Sequence, residues 1–345
     1  MGLRCLRGFL RTPADFAGLP SDPSFGTFLS LQALLISVYI IPGDADPVYV
    51  AEHLSAADRS HDAIGWLGHN IAVKPPGPLL VQTLRKAAQS AAPTDSNNAV
   101  MLSHWLGIIL DYLETTPEVT EQEIVGLEWN YFQALRYSQR PARTLHRALA
   151  RDPDFYVYLL KLIFLPAKDS GVEEPEPEDI DGARKLATQA YDVLHDWVLV
   201  PGADDQGVID LVVLEDWIKL ARKLLAEAGR GEIGDSKIGE ILSAAKREPD
   251  QPWPPEPVRE IIEMVRSRFL ERGFEIGVYN RRGVTVRMPH DGGELERALA
   301  ARYRADAEIL RFDWPRTAGC LDRIASTYEV DAKREDLSAD QRDWL

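Results

Sequence analysis

Cysteine is almost missing from this chain of 345 residues: Cys5 and Cys320 stand alone and far apart. Their separation excludes a cysteine metal centre or redox pair and fits two unpaired thiols in a reducing compartment. Long hydrophobic runs are also missing. The longest, Phe28 to Ile41 (FLSLQALLISVYII), has 14 residues and contains Gln32 and two serines, whereas a spanning helix needs roughly 20. It begins too far from Arg4 and Arg7 to be a signal-peptide core. Leu6 stands where a myristoylation signal requires Ser or Thr. These absences predict a cytoplasmic protein without membrane attachment. Positive charge is in short supply as well: 39 Lys and Arg face 54 Asp and Glu, for a net charge of -15. A chain this acidic repels polyanions at long range unless a local basic patch overrides the mean.

Catalytic signatures are equally scarce. There is no HExxH, no phosphate-binding glycine loop ending in Lys-Ser/Thr, and no GxSxG. His53, His61 and His69 lie eight apart, but a turn at Asp58 to Ser60 separates the first two, which argues against shared metal ligation. GADDQG (Gly202 to Gly207) lacks the closing glutamate of a calcium loop and reads as a polar connection between helices. GRGEIGDSKIGE (Gly229 to Glu240) is rich in glycine yet follows no strand. Gly229 and Gly231 suit helix C-caps there and Asp235 suits an N-cap, so a phosphate cradle is not expected. The expectation is no enzymatic activity, no cofactor, no metal and no small-molecule substrate.

What the sequence does have is helical periodicity. Leu211, Leu214, Ile218, Ala221, Leu225 and Ala228 form one apolar stripe, with Asp210 as N-cap and Gly229 as stop. Ala318, Leu321, Ala325, Tyr328 and Ala332 form another, behind Pro315 at a first-turn position. Thr120 and Glu123 have capping-box spacing ahead of Ile124, Leu127, Tyr131 and Leu135. DPDFYVYLLKLIFLP is apolar nearly all round. Periodicity alone allows a buried strand, but Asp152 and Pro153 at the cap favour a helix. Asp46 to Ile71 reads as helix, turn, helix with small residues Ala51, Ala56, Ala57 and Ala63, the grammar of a stacked helical hairpin. No βαβ alternation is present. The fold class predicted is all-α: stacked hairpins in a tetratricopeptide-like or HEAT-like α-solenoid, with at most one small β-hairpin near 274–288.

The predicted organisation is a poorly defined segment 1–27, a helical domain 28–247 with an acidic, solvated loop 167–182, a proline-rich linker 248–258, and a C-terminal helical subdomain 259–345. The linker region REPDQPWPPEPVRE holds five prolines and Trp253, a composition that makes semi-rigid extended chain. Beyond it the balance changes: Arg259 to Arg316 contains twelve arginines against ten acidic residues.

Within that region YNRRGVTVRMPHDGGELER (Tyr279 to Arg297) stands out. Three readings compete for it. Arg281, Arg282 and Arg287 contact phosphates or an acidic partner, with Tyr279 as a stacking face. Alternatively, the arginines pair internally with carboxylates such as Glu271, Glu275, Asp291 and Glu294. Or the stretch is an exposed connector. Arginine forks usually find available carboxylates, which favours the second. Asn280 to Gly283 suits a tight reversal. The candidate partner-binding residues are Tyr279, Asn280, Arg281, Arg282, Arg287 and Trp253.

LEWNYFQAL, RPARTLHRALARDPDFYVYLL, GRGEIGDSKIGEIL, YNRRGVTVR, GGELERALAARYR and WPRTAGCLDRIASTYE span Leu127 to Glu329. Together they make the second half similar to the C-terminal region of very large, uncharacterised bacterial proteins. The resemblance implies a tail of a longer polypeptide or a stand-alone remnant, with any enzymatic or ATPase module lying upstream; it carries no functional residues. The opening MGLRCLRGFLRTPADF departs from a natural domain start, so Met1 is expected to begin a truncated frame. The functional expectation is a non-enzymatic interaction module that binds a protein partner or the rest of its own assembly. The alternative is nucleic-acid binding through residues 279–304, Arg302 and Arg304 included.

Overall fold

The computed structural model describes residues 46–90, 96–136, 138–283 and 292–342. The apolar run 28–41, the segment VTVR and Arg287 lie outside them. Among the described residues the secondary structure is helical: fifteen α-helices, one short 3₁₀ turn at Ile71–Val73, and a single antiparallel bridge between Ala203 and Ile209. The all-α prediction holds. No described helix is long and apolar enough to cross a membrane. The chain divides into two compact units, residues 1–145 and 146–345.

In the first unit, α1 (Pro47–Ala56) and α2 (Ser60–His69) form the expected hairpin, with Asp46 capping α1 and Asp58 at positive φ in the turn. Ala51 and Ala63 are fully buried, while Ala56 and Ala57 are exposed. α3 (Gly77–Ala88), α4 (Ser96–Glu114), α5 (Glu121–Asn130) and the single turn α6 (Phe132–Leu135) pack around them. Thr120 and Glu123 close both bonds of the capping box on α5. The stripe Ile124, Leu127, Tyr131, Leu135 is buried as expected, although the helix breaks at Tyr131, whose hydroxyl donates to the Leu84 carbonyl at 2.7 Å.

α7 (Arg143–Arg151) leads to the second unit's α8 (Pro153–Ile163), where Asp152 accepts from the backbone N–H of Asp154 and Phe155. The apolar segment is a helix, as its cap signalled. α9 (Ile180–Asp196) and α10 (Leu211–Glu227) pack on α8 around Tyr156, Trp197 and Trp217, whose ring centroids lie 5.0–6.1 Å apart. Asp210 caps α10, Gly229 ends it at φ 68°, and Glu215 pairs with Lys219 on the outer face.

Residues 167–182 are largely exposed, but Glu174 is not simply solvated. It takes the Arg230 guanidinium bidentately at 2.6 and 3.0 Å, and the same side chain, fully buried, donates to the Phe164 and Ala228 carbonyls. Asp235 is no N-cap: α11 starts earlier, at Gly231, and places Asp235 inside the helix against Arg222 at 2.7 Å.

The predicted strand FEIGVY is also helical. It lies within α13 (Arg268–Asn280), capped by Ser267. The reason is tertiary. A Cβ on Gly239 of α11 would stand 2.6 Å from the Phe274 nitrogen, and one on Gly277 would stand 2.9 Å from Glu240 Cα; a Cβ on Gly273 would overlap the Ser236 carbonyl. These three glycines are the surface along which α11 and α13 touch backbone to backbone.

α12 (Glu256–Val265) follows the proline-rich stretch. α14 (Glu294–Leu310) and α15 (Pro315–Arg342) then form an antiparallel hairpin. Its register is written in ion pairs: Arg311–Asp322 at 3.1 Å, Arg304–Glu329 at 3.1 Å and Arg297–Asp336 at 2.7 Å step by seven residues in opposite directions along the two helices. The seam buries Ala300, Tyr303, Ala307 and Leu310 against Ala318, Leu321, Ala325, Tyr328 and Ala332. The small alanines allow close approach, and the two rings of the seam, Tyr303 and Tyr328, stack on each other with centroids 5.9 Å apart.

Candidate functional site

α14 carries two stripes. Ala300, Tyr303, Ala307 and Leu310 face α15. Leu295, Ala298, Leu299 and Arg302 lie on another face, at positions i, i+3, i+4 and i+7, and are exposed or half-buried. This second stripe forms one wall of a cleft of about 640 Å³ within the C-terminal unit.

The floor is aromatic. Phe274, Trp253, Tyr303, Tyr328 and Tyr279 form a chain of rings with successive centroids 5.2–5.9 Å apart, drawn from α13, the proline-rich stretch, α14 and α15. Trp253, Tyr303 and Tyr328 of this series line the cleft. Trp253 is buried, its indole N–H donating to the Ala245 carbonyl at 2.9 Å and its backbone N–H to Asp306. Arg259 fixes the surrounding prolines by donating to the Pro254 and Pro252 carbonyls at 2.6 and 2.8 Å, with its guanidinium 4.7 Å from the Trp314 ring centroid. Trp253 is therefore part of the floor and not the protruding anchor that an exposed proline-rich segment would display. Burial pushes the Tyr328 hydroxyl up to about 12, so it remains protonated across the neutral range.

Three arginines rim the cleft. Arg281, just past the end of α13, donates to Ser243 Oγ at 3.0 Å and to the Glu240 carbonyl at 3.3 Å, near the C-terminal end of α11. A cation there meets the negative end of the helix dipole. Arg282 pairs with buried Glu296 and lies 5.5 Å from the Tyr328 ring centroid. Arg302 lies 5.3 Å from the Tyr303 ring centroid, and among the described residues no carboxylate pairs with it. The described residues that line the cleft include three arginines and no Asp, Glu, His or Cys.

Of the residues singled out in the sequence, the fold gathers Trp253, Arg281 and Arg282 at this one cleft. Tyr279 stands beside it, its hydroxyl donating to Asp331 Oδ2 at 2.8 Å. Asn280 is the exposed last residue of α13. Of the arginines read as internally paired, Arg282 takes a carboxylate, Glu296, Arg281 takes a hydroxyl and a backbone carbonyl, and Arg287 lies outside the described residues. Glu271 and Glu275, expected to take Arg281 and Arg282, instead bind Arg316 and Arg323 across the α13–α15 contact. Arg304, a nucleic-acid candidate, is held by Asp322 and Glu329. Sequence reasoning missed Leu295, Ala298 and Leu299 as a surface feature. Their signal was the presence of two apolar stripes on one helix, since a single core-facing stripe uses only one.

A second charged cluster lies in the first unit and was not anticipated. Arg140 reaches Asp111 at 2.8 Å, Glu114 at 2.6 Å and Glu128 at 2.7 Å, and Glu114 also accepts from Thr144 and from Arg143 bidentately. The other Glu128 oxygen accepts the Leu145 N–H at 2.6 Å, in the first turn of α7. Burial pushes the Glu114 carboxyl up, but bonds from Arg143 and Thr144 and the charges of Arg140 and Arg143 outweigh it and bring it to about 2. At Glu128 burial prevails over Arg140 and raises the carboxyl above its ordinary range. Arg140 and Glu128 are both buried, and the cluster clasps α4 and α5 to the first turn of α7, with Asp111 and Arg143 exposed at its edge. Cys320 is fully buried, which pushes its thiol up and leaves it inert. Among the described residues no group of three or more His, Cys, Asp or Glu could hold a metal ion.

The chain matches no protein-family model, no curated protein and no solved structure.

Proposed function

We propose that this chain is a non-enzymatic helical interaction module that engages a protein partner, or the remainder of its own assembly, through its C-terminal unit. The helical hairpins, set side by side in the manner of a solenoid, serve as scaffold, and contact is made along helix faces. The observation that carries this reading is the aromatic-floored cleft, where an apolar helix stripe with Leu295 and Ala298 exposed meets cationic side chains. Buried aromatic rings with arginine at the rim are the composition that dominates binding energy at protein interfaces.

A nucleic-acid interface, the alternative for this stretch, fits less well. Polyanion binding relies on several unneutralised cations along one surface, yet Arg282 and Arg304 are already paired to carboxylates in a chain of net charge -15.

Site-specific photo-cross-linking tests the reading. A photoreactive residue is placed at Leu299 in the full chain, and in a control at Leu220, which is exposed on α10. The expected result, in the cells that make the protein, is a discrete protein adduct from position 299 and none from 220. No protein adduct at 299, the same adducts from both positions, or an adduct removed by nuclease would each overturn it.

A further inference from the structure

Resting on that reading, we propose that the cleft recognises a short acidic segment of the partner, with a carboxylate received by Arg302 and an apolar side chain laid against Leu295 and Leu299. Three observations converge on this chemistry.

The first is charge. Many arginines of the C-terminal unit are matched to carboxylates, Arg247 to Asp306, Arg297 to Asp336, Arg304 to Asp322 and Glu329, Arg316 to Glu271, Arg323 to Glu271 and Glu275, while Arg259 and Arg266 bond backbone carbonyls instead. Arg281 and Arg302, both lining the cleft, have no such match among the described residues, and none of the described lining residues is a carboxylate. Arg282 is already paired to buried Glu296, so Arg281 and Arg302 are the cleft cations without a carboxylate among the described residues, and in a protein of net charge -15 they are complementary to a negative ligand. Arg302 is also already oriented, resting by the Tyr303 ring, so less freedom is lost when a carboxylate arrives.

The second is apolar surface. Leu295 is 47% exposed, and Ala298 and Leu299 continue its stripe toward Arg302. The opposite stripe of α14 is fully used by α15, so this face has no structural duty in the hairpin. The third is size. About 640 Å³ falls within the range of sites that enclose a few side chains and not a whole folded surface.

The geometry also sets a spacing. Leu295 and Arg302 are seven residues apart on a helix, about 10 Å at 1.5 Å per residue. An extended peptide covers that distance in about three residues. The segment recognised therefore carries Asp or Glu three positions from a Leu, Phe or Trp.

Random peptides displayed on phage are selected on the full chain, and the strongest is synthesised with a fluorescent label for anisotropy. The proposal expects enriched peptides with that acidic–apolar spacing. Binding should weaken about tenfold or more in Arg302→Glu, the loss typical of one charge-assisted pair. Replacing the peptide's acidic residue by Lys should restore binding to Arg302→Glu. Thermal melts accompany each variant, and because Arg302 has no carboxylate partner the fold should survive. Enrichment without acidic residues, or affinity unmoved by Arg302→Glu, overturns the proposal. A protein adduct at Leu299 combined with that negative result removes the acidic-segment chemistry alone and leaves the interaction reading standing.

Discussion

Arg140 in the N-terminal unit and Arg302 in the C-terminal unit bring the same guanidinium into opposite surroundings. Arg140 is buried against Glu128 and Glu114 and reaches the exposed Asp111 at its edge, and these bonds join α4 and α5 to the first turn of α7. Arg302 lies by an aromatic ring at the edge of a cleft, with no carboxylate set against it among the described residues. The contrast separates two uses of charge. A buried ion must be fully compensated within the chain, because a partner left alone in a low-dielectric interior is strongly destabilising. A rim cation is kept solvated, and its electrostatic complement can come from another molecule.

The sharpest way to break this comparison is to remove the scaffold that holds the cleft open. Gly273→Val drives a side chain into the Ser236 backbone, where no rotamer can relieve the overlap. We expect a loss of more than about 4 kcal/mol, read as loss of the C-terminal unit's cooperative melt by circular dichroism. Next comes the sealed arginine. Arg140→Leu leaves Glu128 buried beside an apolar chain and should destabilise by about 3–5 kcal/mol in urea titration, while the double variant with Glu128→Leu recovers a large part of it. Smallest is the rim: Arg302→Ala should change stability by less than about 0.5 kcal/mol in the same titration. A rim effect as large as that at Arg140 would erase the distinction and make Arg302 a structural residue.

The helices were largely legible before any coordinates. Asp210, Asp152, Thr120 and Pro315 all start helices where their chemistry places them, because capping satisfies backbone groups locally. The stripes of α10 and α15 were equally readable, since an apolar period of 3.6 needs only the chain itself. FEIGVY failed for a related reason: Ile, Val, Phe and Tyr favour strands locally, but Gly273 and Gly277 carry information about a neighbouring backbone that lies more than thirty positions away. The charge assignments at the arginine stretch failed in detail in the same way. Glu271 and Glu275 are near Arg281 along the chain, yet their helix turns them toward α15, where Arg316 and Arg323 wait.

The cleft was half legible. Trp253, Arg281 and Arg282 stood out as unusual residue types in unusual company, and the fold brings them together. Arg302 stood out only as a nucleic-acid candidate, and Leu295 and Leu299 did not stand out as surface, because an amphipathic helix conceals which of its faces is spent on the core. Composition and periodicity alone determined that this chain would bury itself as helices, since those preferences act within a few residues. Which glycines would let two backbones touch, which arginines would be sealed and which left at a rim, was decided only by tertiary packing, because each depends on the partner surface that arrives from a distant part of the chain.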